Sequence, residues 1–221
     1  MDVSCSINWR VQEGDFIKAG QTLCQIQGQA RALLTAERSA LNFLQLLSAT
    51  ATLTRQYVDA VAGTKAKIMD TRKTLPGLRM AQKYAVKTGG GYNQRMGLFD
   101  GILIKENHIL AAGGIRPVLV QAFGLAPKGA TIQIEVEALA QLSEALDAGA
   151  KLILLDNFNL DDMRAAVAIT AGRAELEASG GVNLDAVRAI AQTGVDRISI
   201  GALTKDVQAI DLSMRFDARN G

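Results

Sequence analysis

Four cations, Arg72, Lys73, Arg95 and Lys105, lie in the stretch from Asp70 to His108, at predicted turns and strand ends where their heads can converge. Cations gathered in one cleft repel one another until an anion neutralises them, so the arrangement suits a substrate with several negative charges. The stretch reads DTRKTLPGLR, then a helix-like run, then GGGYNQRMGLFDGILIKENH.

Other candidate residues fall at the ends of predicted strands, where parallel α/β folds build their sites. Arg72 and Lys73 follow 66–71, and Lys105, Glu106, Asn107 and His108 follow 101–104. Asp156 and Asn157 follow 152–155, Glu177 to Gly181 end 175–178, and Gly201 and Ala202 follow 197–200. One charge at a strand end is usually a helix cap or a surface residue; five such ends in one chain are harder to dismiss. In the predicted strand 131–136, alternation puts Ile132, Ile134 and Val136 on one face and Gln133, Glu135 and Glu137 on the other. Parallel strands are normally apolar on both faces, so a polar face implies a wet or ligand-filled site, or else an exposed edge strand. Glu135 with Asp156 gives two carboxylates able to hold Mg2+ or sugar hydroxyls.

Ser179-Gly180-Gly181 leads into a predicted helix, and Gly201-Ala202 precedes another. Glycine lets a phosphate approach the backbone, and helix N-termini favour anions. Gly89-Gly90-Gly91 reads as a mobile or closely packed loop after a helix. His108, the one histidine of the chain, is read as structural rather than as a proton-transfer group.

The elements that must position these residues alternate. Strands are expected at 66–71, 101–104, 131–136, 152–155, 175–178 and 197–200. Helices are expected at 78–88, 115–124, 138–148, 160–170 and 183–192. Such alternation implies a parallel sheet covered by helices, with fewer strands than the eight of a closed barrel. Before it come two short strands, 6–11 and 22–27, and one long helix, 31–61, whose apolar residues cover nearly its whole circumference and predict burial. Arg38, Asn42 and Gln45 share the narrow polar sector of that helix. Residues 212–216 are expected to form a last strand returning to the N-terminal part.

The 221 residues fit one large domain, or one domain with a small appendage. A formal net charge of +2 gives no reason to expect nucleic acid. Two cysteines make no disulfide framework, no apolar run approaches the roughly 18 residues of a membrane span, and no signal peptide is evident, so the expected location is the cytoplasm, away from membranes.

The segments GTKAKIMDTRKTLPGLRMAQKYAVKTGGGYNQRMGLFDGILIKENHI, ERSALNFLQLLSATAT, IQIEVE, LILLDNF, LEASGGV and ISIGALT together resemble the quinolinate phosphoribosyltransferase family, over almost the whole chain. The resemblance implies an open, incomplete parallel α/β barrel of about six strands (residues 63–210) beside part of an N-terminal α/β sandwich domain (1–62), with 211–221 returning as a strand. It also implies transfer of the phosphoribosyl group from phosphoribosyl pyrophosphate to quinolinate with loss of CO2, giving nicotinate mononucleotide and pyrophosphate, with Mg2+, for NAD biosynthesis. On this match Arg72, Gln94, Arg95 and Lys105 bind quinolinate, and Arg38 joins them from the neighbouring subunit of a homodimer, itself able to build a higher oligomer. Lys73, Glu135 and Asp156 are the catalytic residues at the phosphoribosyl group and its magnesium-bound pyrophosphate, and Ser179, Gly180, Gly181, Gly201 and Ala202 cradle the 5-phosphate.

The chain departs from the family pattern at Gln94, where a histidine is usual; Gln94 can donate a hydrogen bond but cannot be cationic. Ala49 replaces a usual glycine, and the family has several dozen residues ahead of Met1, so part of the sandwich domain is expected to be lacking. Alternative readings are a phosphoribosyltransferase of the same fold acting on another aromatic acid, a Schiff-base lyase using Lys105 or Lys73, and a non-catalytic binding protein.

Overall fold

The computed structural model describes residues 4–216. A two-stranded antiparallel sheet, β1 (Ser6–Trp9) and β2 (Cys24–Gln27), precedes the long helix α1 (Ala30–Ala60). The alternating part then runs β3 (Lys67–Met69), α2 (Arg79–Thr88), β4 (Gly101–Ile104), α3 (Glu106–Ala112), α4 (Ile115–Leu125), β5 (Thr131–Val136) and α5 (Leu139–Asp147). It continues through β6 (Leu152–Asp156), α6 (Leu160–Thr170), β7 (Glu175–Ser179), α7 (Leu184–Gln192), β8 (Arg197–Ser199) and α8 (Ala202–Lys205).

The six later strands form one parallel sheet in the order β3-β8-β7-β6-β5-β4. The last strand pairs with the first of the set, while β3 and β4 lie at the two edges, so among the described residues the barrel is open between them. A single bridge from Met69 to Tyr92 carries the segment after α2 alongside β3.

The strand pattern explains the layers. Ile134, Ile153, Leu155, Leu176 and Ile198 are buried against the helices with Leu142, Ala145, Met163 and Val187. Each large aliphatic side chain so buried stabilises the fold by about 1.5–3 kcal/mol relative to exposure. Helix starts follow cap chemistry: the Asn159 side chain accepts from the backbone N–H groups of Asp161 and Asp162, and Asn183 accepts from Ala186.

Three expectations are corrected. The first half of α1 is not buried: Leu34 and Phe43 are exposed, and the buried residues are Ala49, Thr50, Thr54 and Tyr57. The helix meets α2, α7, α8 and β3, and its buried residues all lie in its second half. Leu212–Phe216 forms no strand. The C-terminal segment does return to α1, where Ile210 donates to the Gln45 carbonyl and the Gln45 side chain donates to Leu212, two bonds that need no ladder. Finally, α3 was not expected, because its short run follows Lys105 without a usual cap residue; instead His108 Nδ1 accepts from the Lys105 backbone N–H at 3.0 Å. This gives His108 a structural task.

Of the two readings of the glycine triplet, close packing is the one observed. A Cβ at Gly89 would lie 2.4 Å from the Ala51 carbonyl oxygen, and one at Gly91 would lie 2.7 Å from Thr54 Cγ2. The triplet therefore seats α2 against α1. Among the described residues no single helix is long and apolar enough to cross a membrane.

Candidate active site

β5 is flanked by β4 and β6, so its polar face is not an exposed edge: Gln133 is 5% and Glu135 9% exposed. Strand register extends this polar inner face around the sheet, since Glu135 lies opposite Leu154, Leu154 opposite Glu177, and Glu177 opposite Arg197. Glu177 is fully buried. Its carboxylate accepts from Gln94 Nε2 at 2.5 Å on both oxygens and from Gln133 Nε2 at 3.0 Å. Burial raises its pKa above the ordinary glutamate value, opposed by hydrogen bonds from Gln133, Ser199 and Gln94 and by the charge of Arg197.

The cations converge above this floor. Arg95 donates to the Gly101 carbonyl at 2.8 Å, which pins its side chain to the start of β4. Burial and then the charge of Arg72 pull the Arg95 pKa down, with Asp100 opposing, so the two guanidinium groups lie within electrostatic reach. Lys105 at the end of β4 pairs with Glu135 on β5 at 3.1 Å. Arg79, at the start of α2, ties the cation loops together by donating to the carbonyls of Arg72 at 3.2 Å and Met96 at 3.1 Å. Asp100 closes the second loop by accepting from the backbone of Met96 and Gly97.

Lys73 belongs to a different corner. A Cβ at Gly201 would meet Lys73 Cδ at 3.3 Å, and Thr204 donates to the Lys73 carbonyl at 2.8 Å. The loop after β7 reaches the same end of the sheet. Gly180 has φ +102°, and a Cβ there would sit 2.0 Å from Asn157 Oδ1. Asn157 itself holds a left-handed φ of 55° at the end of β6, with its N–H on the Ser179 carbonyl. Such conformations persist where surrounding structure enforces them, often at ligand sites. The corner formed by Lys73, Ser179, Gly180, Gly181, Gly201 and Ala202 offers backbone groups and one ammonium to a phosphate.

Glu135 and Asp156 end neighbouring strands on the same face, and among the described residues no third ligand joins them into a metal-binding group. Two carboxylates suit a magnesium ion whose remaining ligands are water and substrate phosphates, not a protein cage. Arg38, exposed on the first half of α1, has no hydrogen bond or ion pair with the cleft among the described residues. The candidates other than Arg38 lie on the inner face of this sheet or in the loops beside it, with direct contacts between Lys105 and Glu135 and between Lys73 and the Gly201 turn. Gln94 differs from expectation in one respect: its amide nitrogen is turned onto the buried Glu177, where both carboxylate oxygens lie within hydrogen-bond distance of it.

Sequence reasoning missed the support beneath the cations. Asp70 and Lys83 form a buried ion pair, Asn93 donates to Asp70 at 2.6 Å, and the buried Gln82 bridges Leu75 to Thr204. Glu177 was legible as a charge inside a parallel strand, the criterion that singled out Gln133 and Glu135. A cleft of about 340 Å³ lies at the opposite ends of the strands near Lys65, Lys151 and Arg173, away from these residues.

The chain is similar to known proteins over most of its length. Residues 50–215 match the model of the quinolinate phosphoribosyl transferase C-terminal domain, and residues 3–48 match that of its N-terminal domain. A probable nicotinate-nucleotide pyrophosphorylase [carboxylating] of Bacillus subtilis (strain 168) is 45% identical over 95% of this chain and 72% of its own length. The corresponding Mycobacterium leprae (strain TN) protein is 47% identical over 93% and 73%. Among solved structures, NadC from Streptococcus pyogenes superposes with a TM-score of 0.94 at 40% identity, covering 97% of this chain and 76% of that one. The nicotinate-nucleotide pyrophosphorylase of Francisella tularensis gives 0.92 at 46% identity, covering 95% and 74%.

Proposed function

The chain belongs to the quinolinate phosphoribosyl transferase family, and from that premise we propose that it transfers the phosphoribosyl group of phosphoribosyl pyrophosphate to quinolinate. The products are nicotinate mononucleotide, pyrophosphate and CO2, a step of NAD biosynthesis. The observation that carries this reading is the placement of Arg72 beside a half-buried Arg95, with Lys105 on the adjoining strand end. Two guanidinium groups within electrostatic reach of each other suit a dicarboxylate, which guanidinium forks bind bidentately.

Arg72, Arg95 and Lys105 hold the two carboxylates and aim the ring nitrogen at C1 of the ribose. Lys73 and the glycine loops hold the donor's phosphates at the neighbouring corner. Glu135 and Asp156 would hold Mg2+, which supplies charge neutralisation for the pyrophosphate when bound. The same carboxylates face the positive charge that develops on the ribose as the bond from C1 to pyrophosphate breaks. The ring nitrogen then takes C1, the quaternised ring stabilises the electron pair left on the ring carbon when the adjacent carboxylate leaves as CO2, and that carbon takes a proton from solvent. No covalent enzyme intermediate is required.

The functional assembly is a homodimer in which Arg38 completes the acceptor pocket of the neighbouring subunit; its exposure away from its own cleft supports this. The proposed location is the cytoplasm. Incubation with quinolinate, phosphoribosyl pyrophosphate and magnesium chloride, followed by chromatography for nicotinate mononucleotide, tests the activity. Absence of product from folded dimer would overturn it.

A further inference from the structure

Gln94 is held at each of its polar groups but one. Its backbone N–H donates to Asp70 at 2.7 Å, and its carbonyl accepts from Lys83 Nζ at 2.9 Å. Its amide nitrogen donates to both oxygens of Glu177. The next residue, Arg95, carries the guanidinium that reaches the Gly101 carbonyl. The segment entering the acceptor pocket is thus anchored from below at two independent points. One is the Asp70–Lys83 pair, which fixes its backbone. The other is Glu177, which fixes its side chain from the far wall of the barrel.

We propose that Glu177 is a positioning residue for the acceptor: acting through Gln94, it sets the placement of Arg95 and thereby the affinity for the dicarboxylate. The inference rests on the acceptor assignment above. A carboxylate suits this task better than a neutral side chain, because its charge strengthens the hydrogen bond and both oxygens draw the same amide nitrogen of Gln94 to one place. Gln133 and Ser199 fill the remaining acceptor capacity and hold the Glu177 carboxylate itself in place. Glu177 lies at the base of the inner face, fully buried, so it acts on the acceptor only through what it holds.

The test is a double-mutant cycle on steady-state kinetics with Glu177→Gln, Gln94→Ala and the double variant. Each single change is expected to raise the KM for quinolinate about tenfold, the scale of losing a hydrogen bond to a charged group. The KM for phosphoribosyl pyrophosphate stays within about twofold, and the double variant is no worse than the weaker-binding single variant. A purely structural role would move both KM values together. Additive effects, equal shifts in both KM values, or an unchanged quinolinate KM would each overturn the proposal. If Glu177→Gln fails to fold, Gln94→Ala decides alone by the same split between the two KM values. Wild-type protein without turnover would sink the assigned reaction; active wild type whose variants keep the parent quinolinate KM would sink this inference alone.

Discussion

Lys83 and Asp70 form an ion pair from which water is excluded, both side chains being at most 1% exposed. Burial pushes the Asp70 carboxyl up and the Lys83 ammonium down, and their mutual charge and hydrogen bonds oppose both shifts. Removing one partner leaves an uncompensated buried charge, so Lys83→Met is expected to cost about 3–5 kcal/mol. Urea unfolding checks this, and a loss below about 1 kcal/mol, the scale of an exposed pair, would contradict it.

Gly180→Ala is expected to strike the donor side. The added methyl meets Asn157 Oδ1, and φ +102° disfavours any side chain. Strain of about 1–3 kcal/mol should appear as lost stability. The KM for phosphoribosyl pyrophosphate should rise while that for quinolinate holds. An unchanged donor KM would remove Gly180 from the phosphate cradle.

Glu177 gives a pH signature with a defined sign. Its folded pKa is raised by burial above that of the unfolded chain, near 4.3. As pH rises between the two values the unfolded chain has lost a proton that the folded chain keeps, so this contribution falls. It is fully present below the unfolded value and lost as pH rises through the folded one. The stability of wild type relative to Glu177→Gln should therefore decline from about pH 4 upward and then level off. Parallel stability curves in denaturant titrations would show that Glu177 does not carry the shift.

Mixing variants tests the borrowed cation. Arg38→Ala and Arg72→Ala are each expected to bind quinolinate poorly as homodimers. Random exchange makes half the dimers mixed, each with one intact site, so activity should return to about a quarter of wild type. No recovery after confirmed subunit exchange would place Arg38 outside the neighbouring site.

The alternation from 65 to 205 was readable because parallel strands and their helices leave long, regular apolar patterns, and most strand bounds shifted by three residues or fewer. The inner polar face was readable at Gln133 and Glu135 for the same reason. What periodicity could not reveal was contact between distant segments. Arg79 looked like an ordinary helix residue, and nothing local tells that its guanidinium spans two loops. The amide of Gln94 looked available to a ligand, and nothing local tells that Glu177, 83 positions away, holds its nitrogen. The exposure of α1 was also hidden, because an apolar circumference signals burial without saying in which molecule.

That helix behaves as a cantilever. It is buried from Ala49 onward and touched ahead of that by the C-terminal segment at Gln45, so Arg38 rides 11 residues beyond the buried part, roughly 16 Å at 1.5 Å per residue. A charge carried that far out is an export. In the proposed dimer each protomer holds most of one site and lends the missing charge to the other, which makes turnover depend on protein concentration. Dilution would then silence the acceptor pocket while each barrel remained folded, so specific activity would fall on dilution at constant thermal stability.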